Sequence, residues 1–219
     1  MFSAVVTNHW ITEGTADAIR VVIDPTLANN RSVSVLTVAG GVSIATMTPE
    51  RAAQLAITGD EVTPEQLATL TLNDPDHIFY LPESWQATGL DANTRQLTPR
   101  DSAAFERFTT EAPDSDVDDA FVELDHWLVF GTFVENRLVA AASMYPWGGS
   151  RLADLGVLTL PEVRGQGHGT ALVRAISARA RELGYEPQYR CQLDNAPSIA
   201  LAEKVGFELF GDWRVILSD

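Results

Sequence analysis

Hydrophobic and polar positions repeat along the chain with two different periods, and the period changes from segment to segment. After the glycine-rich sequence near residue 167, Leu172, Ile176, Ala180 and Leu183 recur at helical spacing. This spacing predicts an amphipathic helix that ends at Gly184. Elsewhere, short runs of β-branched and aromatic residues lie between turn-forming residues, which predicts strands. The whole pattern predicts an α/β protein of α+β type with a mixed sheet.

The first 94 residues predict a small α+β segment. Its predicted elements are a helix over residues 15–27, strands over 32–38 and 42–47, helices that begin at Thr48-Pro49 and Thr63-Pro64, and a strand over 78–81. Gly40-Gly41 separates the first two strands and predicts a hairpin. Gln66 lies three residues after Thr63 and completes a capping box. The loop sequence TGLDANT follows, and we place a domain boundary within it, near residue 94.

Residues 95–219 predict a second domain with helices and strands interleaved. The predicted helices run from Thr98 to about residue 111, from Asp114 onward, from the glycine-rich loop to Gly184, and over residues 198–205. The predicted strands cover residues 127–134, 138–144, 152–160, 188–193 and 208–217. Residues 135–137 form the turn of a predicted hairpin. The strand over residues 152–160 runs directly into the glycine-rich loop.

Composition and charge exclude several classes of partner. The chain has 219 residues, of which 45% are hydrophobic, and its 30 acidic and 15 basic residues give a formal charge of −15. Such a surface repels nucleic acid and anionic lipid, so neither is expected as a partner. The single cysteine, Cys191, excludes a disulfide framework and a cysteine-rich zinc site, and we expect no metal. No secretory signal or membrane-spanning apolar run is visible, which predicts a cytoplasmic protein.

The charge is unevenly distributed along the chain. Residues 1–150 carry a net charge of −14, whereas residues 151–219 carry only −1. The glycine-rich loop therefore lies in a nearly neutral part of an acidic protein, where a polyanionic ligand is tolerated. The simpler interpretation, a solvated acidic surface with no bearing on ligands, stays open.

The sequence LPEVRGQGHGTALV, residues 160–173, predicts a phosphate-binding loop. Gly165, Gly167 and Gly169 precede a helix whose first turn has no Ser, Thr, Asp or Asn cap, so its N–H groups stay open. The helix dipole and Arg164 both favour an anion at this position. The spacing fits neither of the two common nucleotide-binding motifs, G-x-G-x-x-G and G-x-x-x-x-G-K-[ST]. A plain glycine-rich turn without a ligand is the alternative.

At this point the sequence resembles the GNAT superfamily, the acyl-CoA N-acyltransferases. LPEVRGQGHG resembles its motif A, R/Q-x-x-G-x-G/A after a strand, and the matching residues are Arg164, Gly167 and Gly169. NAPSIALAEKVGF resembles its motif B, and the matching residues are Asn195, Lys204, Gly206 and Phe207. The order of predicted elements from residue 95 onward is also similar to the GNAT fold, whereas residues 1–94 lie outside the resemblance.

The resemblance implies acetyl-CoA as co-substrate and a set of residues that bind it. The loop amides would hold the pyrophosphate, and the end of the preceding strand would pair with the pantetheine arm. The expected coenzyme-binding residues are Leu158, Thr159, Leu160, Arg164, Gly165, Gln166, Gly167, His168, Gly169, Thr170, Asn195 and Ser198. His168 is expected to contribute its main chain and not its ring.

Direct transfer to an amine also needs a proton acceptor for the amine and a proton donor for the leaving thiolate. Many family members carry a tyrosine as the donor in motif B, but the corresponding residue here is Ala202. Ser198 is therefore a candidate donor, with a helix N-cap as the alternative role, and Tyr145 is a second candidate. Cys191 is expected to be a small buried residue and not a nucleophile.

Carboxylates near the expected thioester are the candidates for the proton acceptor. Asp154 lies on the strand that leads to the loop, on the same face as Gly156 and Leu158. Glu123 and Asp125 lie just before the first strand of the predicted hairpin. A lysine-like amine has a pKa of about 10.4, so deprotonating it at pH 7 costs roughly 4–5 kcal/mol. For each carboxylate a solvated surface position is the alternative.

Together these observations predict an N-acetyltransferase that moves an acetyl group from acetyl-CoA to a primary amine of a small molecule or peptide. The carboxylates of residues 101–125 make a cationic acceptor plausible through electrostatic steering. The N-terminal segment would cap the acceptor site or form a homodimer contact. The alternatives are a non-catalytic acyl-CoA-binding or regulatory protein, and an interaction domain in which the loop is only a turn.

Overall fold

The computed structural model describes residues 1–10, 18–27, 31–88 and 91–217. The chain forms two compact units. Unit 1 consists of Met1–Val6, Tyr80–Tyr189 and Pro197–Glu208, and unit 2 consists of Thr7–Phe79, Arg190–Ala196 and Leu209–Asp219. The domain boundary near residue 94 stays a prediction.

The helices and strands, numbered in chain order, have the following bounds. The α-helices are α1 (Ala4–Trp10), α2 (Pro49–Gln54), α3 (Pro64–Leu67), α4 (Ser102–Glu111), α5 (Asp114–Ala120), α6 (His168–Glu182) and α7 (Ala196–Val205). The strands are β1 (Ile19–Ile23), β2 (Val33–Val38), β3 (Ser43–Met47), β4 (Glu61–Val62), β5 (Asp76–Tyr80), β6 (Thr94–Gln96), β7 (Leu128–Val134), β8 (Arg137–Pro146), β9 (Leu152–Thr159), β10 (Glu186–Gln192) and β11 (Glu208–Val215).

Unit 2 contains a mixed sheet in the order β4-β1-β3-β2-β11-β5. The predicted hairpin is confirmed, because β2 and β3 pair antiparallel around the turn at Gly40 and Gly41, which both have positive φ. The two predicted Thr-Pro helix starts are also confirmed as α2 and α3, and Thr63 and Gln66 form the capping box. Strands and helices enclose a core of Val21, Val33, Ala45, Met47, Ala52, Val62, Leu67 and Ile216.

The predicted helix over residues 15–27 is wrong for its described part. Residues 11–17 lie outside the described residues, and β1 begins at Ile19. The sequence IRVVI is rich in β-branched residues, and it pairs with β3 on one side and β4 on the other. These pairings satisfy the main-chain hydrogen bonds of β1 within the sheet. They outweigh the weak helical spacing of its apolar residues.

Unit 1 contains a second set of paired strands in the order β10-β9-β8-β7-β6, with residues 186–189 as its part of β10. The pairs from β6 to β9 are antiparallel, and β9 and β10 are parallel. The predicted hairpin turn between β7 and β8 is confirmed, and Glu135 and Asn136 both have positive φ there. The mixed sheet predicted from the sequence is therefore present.

Helices cover both faces of the unit 1 sheet. Helices α4 and α5 pack on β8 and β9 over a core of Leu97, Phe105, Phe108, Ala112, Val122, Val129, Leu138, Ala141, Leu158 and Leu160. Ala140 and Ala142 point to the opposite face by strand alternation and are also fully buried. Helix α6 packs against β8 and supplies Leu172, Val173 and Ile176, all fully buried. Gly184, with φ +79°, follows the end of α6 as predicted.

The half-buried Arg181 explains why residues 80–88 belong to unit 1. The Arg181 guanidinium donates to the carbonyl oxygens of Leu81 and Pro82 at 3.1 Å each and of Trp85 at 3.3 Å. It also pairs with the Glu186 carboxylate. The Trp85 indole N–H in turn donates to the Val205 carbonyl at 2.9 Å. The segment after β5 is thus tied to α6 and α7 by charge-assisted hydrogen bonds.

Helix α1 and the short strands β4 and β6 were not predicted from the sequence. Within the described residues, no helix is both long enough and apolar enough to cross a membrane. The same residues contain no cluster of three or more His, Cys, Asp or Glu side chains that is arranged to bind a metal ion.

Candidate active site

Strand β9 has a partner along its whole length on one side only. It pairs antiparallel with β8 from Ala153 to Thr159, but its parallel pairing with β10 covers only Leu152 to Leu155. In the described strand pairings, residues 156–159 have no partner on the β10 side. Unpaired main-chain N–H and C=O groups at a strand edge can bind an extended ligand. This edge includes Leu158 and Thr159, where pairing with a ligand was predicted.

The loop between β9 and α6 carries open main-chain donors. Gly167 is the N-cap residue of α6, with φ +92° and no side-chain cap. Among the described hydrogen bonds, none uses the main-chain N–H of residues 165–170. A Cβ atom placed on Gly165 or Gly167 would meet nothing within 4 Å. The loop therefore presents open donors and free space at the positive end of a helix of 15 residues.

The third glycine of the loop has a different role. A Cβ atom on Gly169 would lie 3.3 Å from Oγ1 of Thr159 and 3.6 Å from a methyl group of Leu201. Gly169 therefore allows the first turn of α6 to lie close to the end of β9 and to α7. This close contact places the open amides beside the unpaired strand edge.

Arg164 is already engaged by the protein. Its Nε donates to the Thr159 carbonyl at 3.0 Å, and its guanidinium forms an ion pair with Asp116 of α5 at 2.6 Å. Its main-chain N–H donates to the Pro161 carbonyl at 3.3 Å. The open amides of the loop therefore begin at Gly165, one residue later than the sequence indicated.

The structure brings two of the predicted catalytic residues together. Tyr145 and Asp154 are direct partners in the β8–β9 pair, and the tyrosine hydroxyl donates to Oδ2 of Asp154 at 2.9 Å. Oδ1 of the same carboxylate accepts from Nε2 of Gln188 at 2.8 Å. The Gln188 amide oxygen in turn accepts a hydrogen bond from the Tyr80 hydroxyl. Asp154 is only 5% exposed, and these donors satisfy its charge inside the protein.

A second polar cluster lies on the same face, two pairs further along the two strands. Ser143 is opposite Gly156, and its hydroxyl oxygen accepts from the Glu123 main-chain N–H at 3.3 Å. Nδ1 of His126 lies 2.8 Å from the same hydroxyl oxygen. Nε2 of His126 lies 3.6 Å from the Glu123 carboxylate. The buried serine thus fixes the orientation of the imidazole ring.

Aromatic rings surround this histidine. The His126 ring centroid is 5.1 Å from that of Tyr145 and 5.2 Å from that of Phe121. Phe121 ends α5 in the left-handed conformation, with φ +47°, and its side chain is 53% exposed. The three rings and the Glu123 carboxylate form an acidic aromatic recess that is partly open to solvent.

Gly156 fixes the position of this recess over β9. A Cβ atom there would lie 2.1 Å from the Ala120 carbonyl oxygen and 3.2 Å from that of Phe121. The end of α5 therefore crosses directly over β9 at Gly156. Any larger residue at this position would displace that crossing.

Ser198 and Asn195 make contacts outside the Tyr145–Asp154 pair and the recess around His126. The Tyr189 hydroxyl lies 3.4 Å from Oγ of Ser198. Asn195 belongs to unit 2, where its main-chain N–H donates to the Gln192 carbonyl at 3.1 Å. Ala202, at the position of the expected tyrosine, is fully buried. The predicted coenzyme roles of Ser198 and Asn195 stay predictions, as do the predicted contacts of Leu160, Gln166 and His168.

Cys191 has the environment of a structural residue. It is buried in unit 2, and burial, followed by the nearby Asp76 carboxylate, raises the pKa of its thiol to about 11. A thiol with this pKa is almost entirely protonated at neutral pH and is a poor nucleophile.

The sequence analysis missed His126, Ser143 and Gln188. Ser143 lies in the apolar strand β8, His126 precedes β7 and Gln188 lies in β10, and no spacing motif marks any of the three. Gln188 could have been suspected, because a polar residue in a buried strand needs a partner.

Comparison with solved structures shows the fold. A GNAT-family protein from Novosphingobium aromaticivorans has a TM-score of 0.53 at 20% identity, covering 78% of this chain and 82% of that chain. A GNAT-family acetyltransferase from Colwellia psychrerythraea has a TM-score of 0.54 at 15% identity, covering 70% of this chain and 60% of that chain. None of the curated proteins compared with this sequence matches it significantly.

The family itself is shown by the sequence pattern of the acetyltransferase (GNAT) family, which matches residues 95–207, just over half of the chain. The matched residues include β9, the open loop, α6 and the recess beside Tyr145. The chain therefore belongs to the GNAT acetyltransferase family.

Proposed function

We propose that this protein transfers an acetyl group from acetyl-CoA to a primary amine of a small molecule or peptide, by direct attack of the amine on the thioester. The observation that carries the proposal is the run of open amides at residues 165–170 beside the unpaired edge of β9. The amides suit a diphosphate, and the edge suits the amide-containing pantetheine arm.

The direction of the coenzyme follows from this arrangement. With the diphosphate on the loop and the arm along residues 158–160, the thioester lies toward Gly156 and the middle of β9. There it faces the elements that carry Tyr145, Asp154 and His126. Arg164 holds the strand end and α5 together and adds positive charge near the diphosphate.

Tyr145 and Asp154 act as one hydrogen-bonded unit in this proposal. The tyrosine proton is directed at Asp154, so the phenol oxygen offers its lone pairs to the N–H groups of the acceptor amine. Both carboxylate oxygens of Asp154 already accept hydrogen bonds, so it acts through Tyr145 and holds that hydroxyl in place. Orientation of this kind contributes to rate by holding the amine in line with the thioester carbon.

The reaction forms a C–N bond and breaks the C–S bond, and the thiolate leaves with the electron pair. Ser198 is the candidate to donate a hydrogen bond or proton to the leaving sulfur, because Ala202 carries no hydroxyl. The acidic aromatic recess favours a cationic acceptor, since Glu123 attracts an ammonium group and the ring faces of Phe121 and Tyr145 attract it as well.

The second candidate function is a non-catalytic acyl-CoA-binding protein. The observation that favours it is the fully buried Ala202 at the position where a tyrosine donor is expected. It predicts tight coenzyme binding without acceptor-dependent release of thiol.

Two measurements test the proposal. Thermal unfolding with and without CoA tests whether the open loop at residues 165–170 binds the coenzyme. A ligand at 100 times its Kd adds about 2.7 kcal/mol to the free energy of unfolding. Release of free thiol from acetyl-CoA is then followed with spermidine, kanamycin, single amino acids and a peptide with a free amino terminus. A CoA-dependent rise in Tm with no acceptor-dependent thiol release supports the non-catalytic alternative, and no rise in Tm excludes both functions.

A further inference from the structure

A proton acceptor for the incoming amine is still needed, because both oxygens of Asp154 are engaged by Tyr145 and Gln188. An ammonium group does not attack a thioester until it has lost a proton. Histidine is the side chain whose ordinary pKa lets it take up a proton near neutral pH. His126 is the histidine that the fold places beside Tyr145.

We infer that His126 is a catalytic residue that accepts the proton of the acceptor amine at Nε2. The inference rests on the proposed function, and it assigns the step that the predicted residues leave open. Nδ1 is held 2.8 Å from the Ser143 hydroxyl oxygen, and donation of Nδ1–H to that oxygen leaves the lone pair on Nε2. Nε2 lies on the side of the half-exposed Glu123 carboxylate, 3.6 Å away.

The surroundings of Nε2 suit a group that is neutral before the reaction and charged after it. The Glu123 carboxylate is 3.6 Å away, too far for a good hydrogen bond but close enough to stabilise an imidazolium. The Glu123 side chain is 51% exposed, so it can also attract the ammonium group of the acceptor from solvent.

His126 also lies within reach of the expected thioester. The imidazole ring is hydrogen-bonded to Ser143, which is the direct partner of Gly156 across the β8–β9 pair. Gly156 lies two residues before Leu158. Two residues of a strand span about 7 Å. An amine held at the unpaired edge of β9 beside Gly156 would then have the thioester carbon on one side and the imidazole on the other.

The step balances in atoms and charge. The ammonium gives one proton to Nε2, and its nitrogen lone pair then forms the C–N bond as the C–S bond breaks. The sulfur takes the electron pair and receives the second proton of the nitrogen by way of the Ser198 hydroxyl, and the third proton stays on the product amide. The imidazolium returns its proton to solvent past Glu123.

The groups that set the charge of His126 come from three elements. They are Glu123 on its own loop, Tyr145 and Ser143 on β8, and Asp154 of β9, which acts through Tyr145. The described contacts place no cationic side chain against the ring.

The test compares H126Q and H126N with the unaltered protein, using the fastest acceptor of the amine panel. His77→Gln is the matched control, because His77 is also part-buried and lies 2.7 Å from a carboxylate, that of Asp212, in unit 2. We expect kcat/KM at pH 7 to fall about 100-fold in both His126 variants. The loss should shrink as the pH rises toward the pKa of the amine, because the amine then arrives unprotonated.

The rise in Tm with CoA reports whether each variant keeps its fold and its coenzyme site. Unchanged kcat/KM in a variant that keeps this rise overturns the inference, and so does an equal loss at every pH. If neither variant keeps the rise, the ring is a structural element and the inference is again overturned. If the unaltered protein acetylates no amine, the proposed function itself fails.

Discussion

The hydroxyl of Tyr145 lies 2.9 Å from Oδ2 of Asp154, its direct partner across the β8–β9 pair. One hydrogen bond thus joins two residues from adjacent strands, and the Gln188 amide donates to the other oxygen of the carboxylate. Because the two side chains are in direct contact, a change in one is expected to alter the other.

We predict that Tyr145→Phe and Asp154→Asn are strongly non-additive. Tyr145→Phe removes a hydroxyl that donates to a buried carboxylate, and this costs about 1–3 kcal/mol of unfolding free energy. The double variant should lose less than the sum of the two, with a coupling of about 0.5–3 kcal/mol, because the partners are in contact. Urea unfolding of the four proteins measures the coupling, and strict additivity would contradict the pair as described.

We predict that replacing Gly167 with alanine removes the effect of CoA on thermal stability. Its φ of +92° strains any other residue, and the new methyl group stands where the diphosphate would approach. Gly184→Ala is the matched control, because Gly184 has φ +79° and equally open surroundings at the other end of α6. Both variants should lose some stability, but only the control should still show a higher Tm with CoA. Loss of the CoA effect in both would point to a general effect of strain on α6.

We predict that Gly156→Ala destabilises the protein by about 1–3 kcal/mol, as overpacking does in other proteins. The new Cβ would lie 2.1 Å from the Ala120 carbonyl oxygen, so the end of α5 must move. Gly59→Ala serves for comparison, since a Cβ there meets nothing within 4 Å. Urea unfolding measures the stability of both variants, and a Gly156 variant as stable as the Gly59 variant would show that α5 does not cross β9 closely.

Because Phe121 follows Ala120, we also expect the KM for the acceptor amine to change in the Gly156 variant.

We predict a pH-dependent contribution to stability from Asp101, the residue immediately before α4. Hydrogen bonds from Arg95, followed by those from Thr98, lower the pKa of this carboxyl from 3.8 to about 2. A lowered pKa in the folded state means that the ionised form stabilises the fold above pH 4. This contribution is lost as the pH falls from about 4 toward 2. Asp101→Asn should therefore be less stable than the unaltered protein at pH 7, with a difference that narrows below pH 4 in urea unfolding.

Much of the fold could be predicted because local signals and tertiary structure agree. Three predicted features each contain a turn or cap residue with a strong preference for one local conformation. They are the hairpin around Gly40 and Gly41, the capping box at Thr63 and the helix that ends at Gly184. Strand β1 was missed because its short apolar run fits a helix or a strand, and pairing with β3 and β4 decides between them.

The candidate site was only partly predictable. The open loop could be predicted, because the glycines and the uncapped helix that follows them are recognisable from one short stretch of sequence. Tyr145 and Asp154 were each chosen separately, but their bond depends on the register of β8 and β9. His126 could not be selected, because its proposed role depends on a contact with Ser143, 17 residues away in the chain.

The half-paired edge of β9 also has a cost for the protein without its coenzyme. A row of unsatisfied main-chain groups can template strand addition from another polypeptide, which is how edge-to-edge aggregation begins. A bound pantetheine arm would occupy that row. Coenzyme supply would then protect the folded protein from self-association during storage and heating, apart from any turnover.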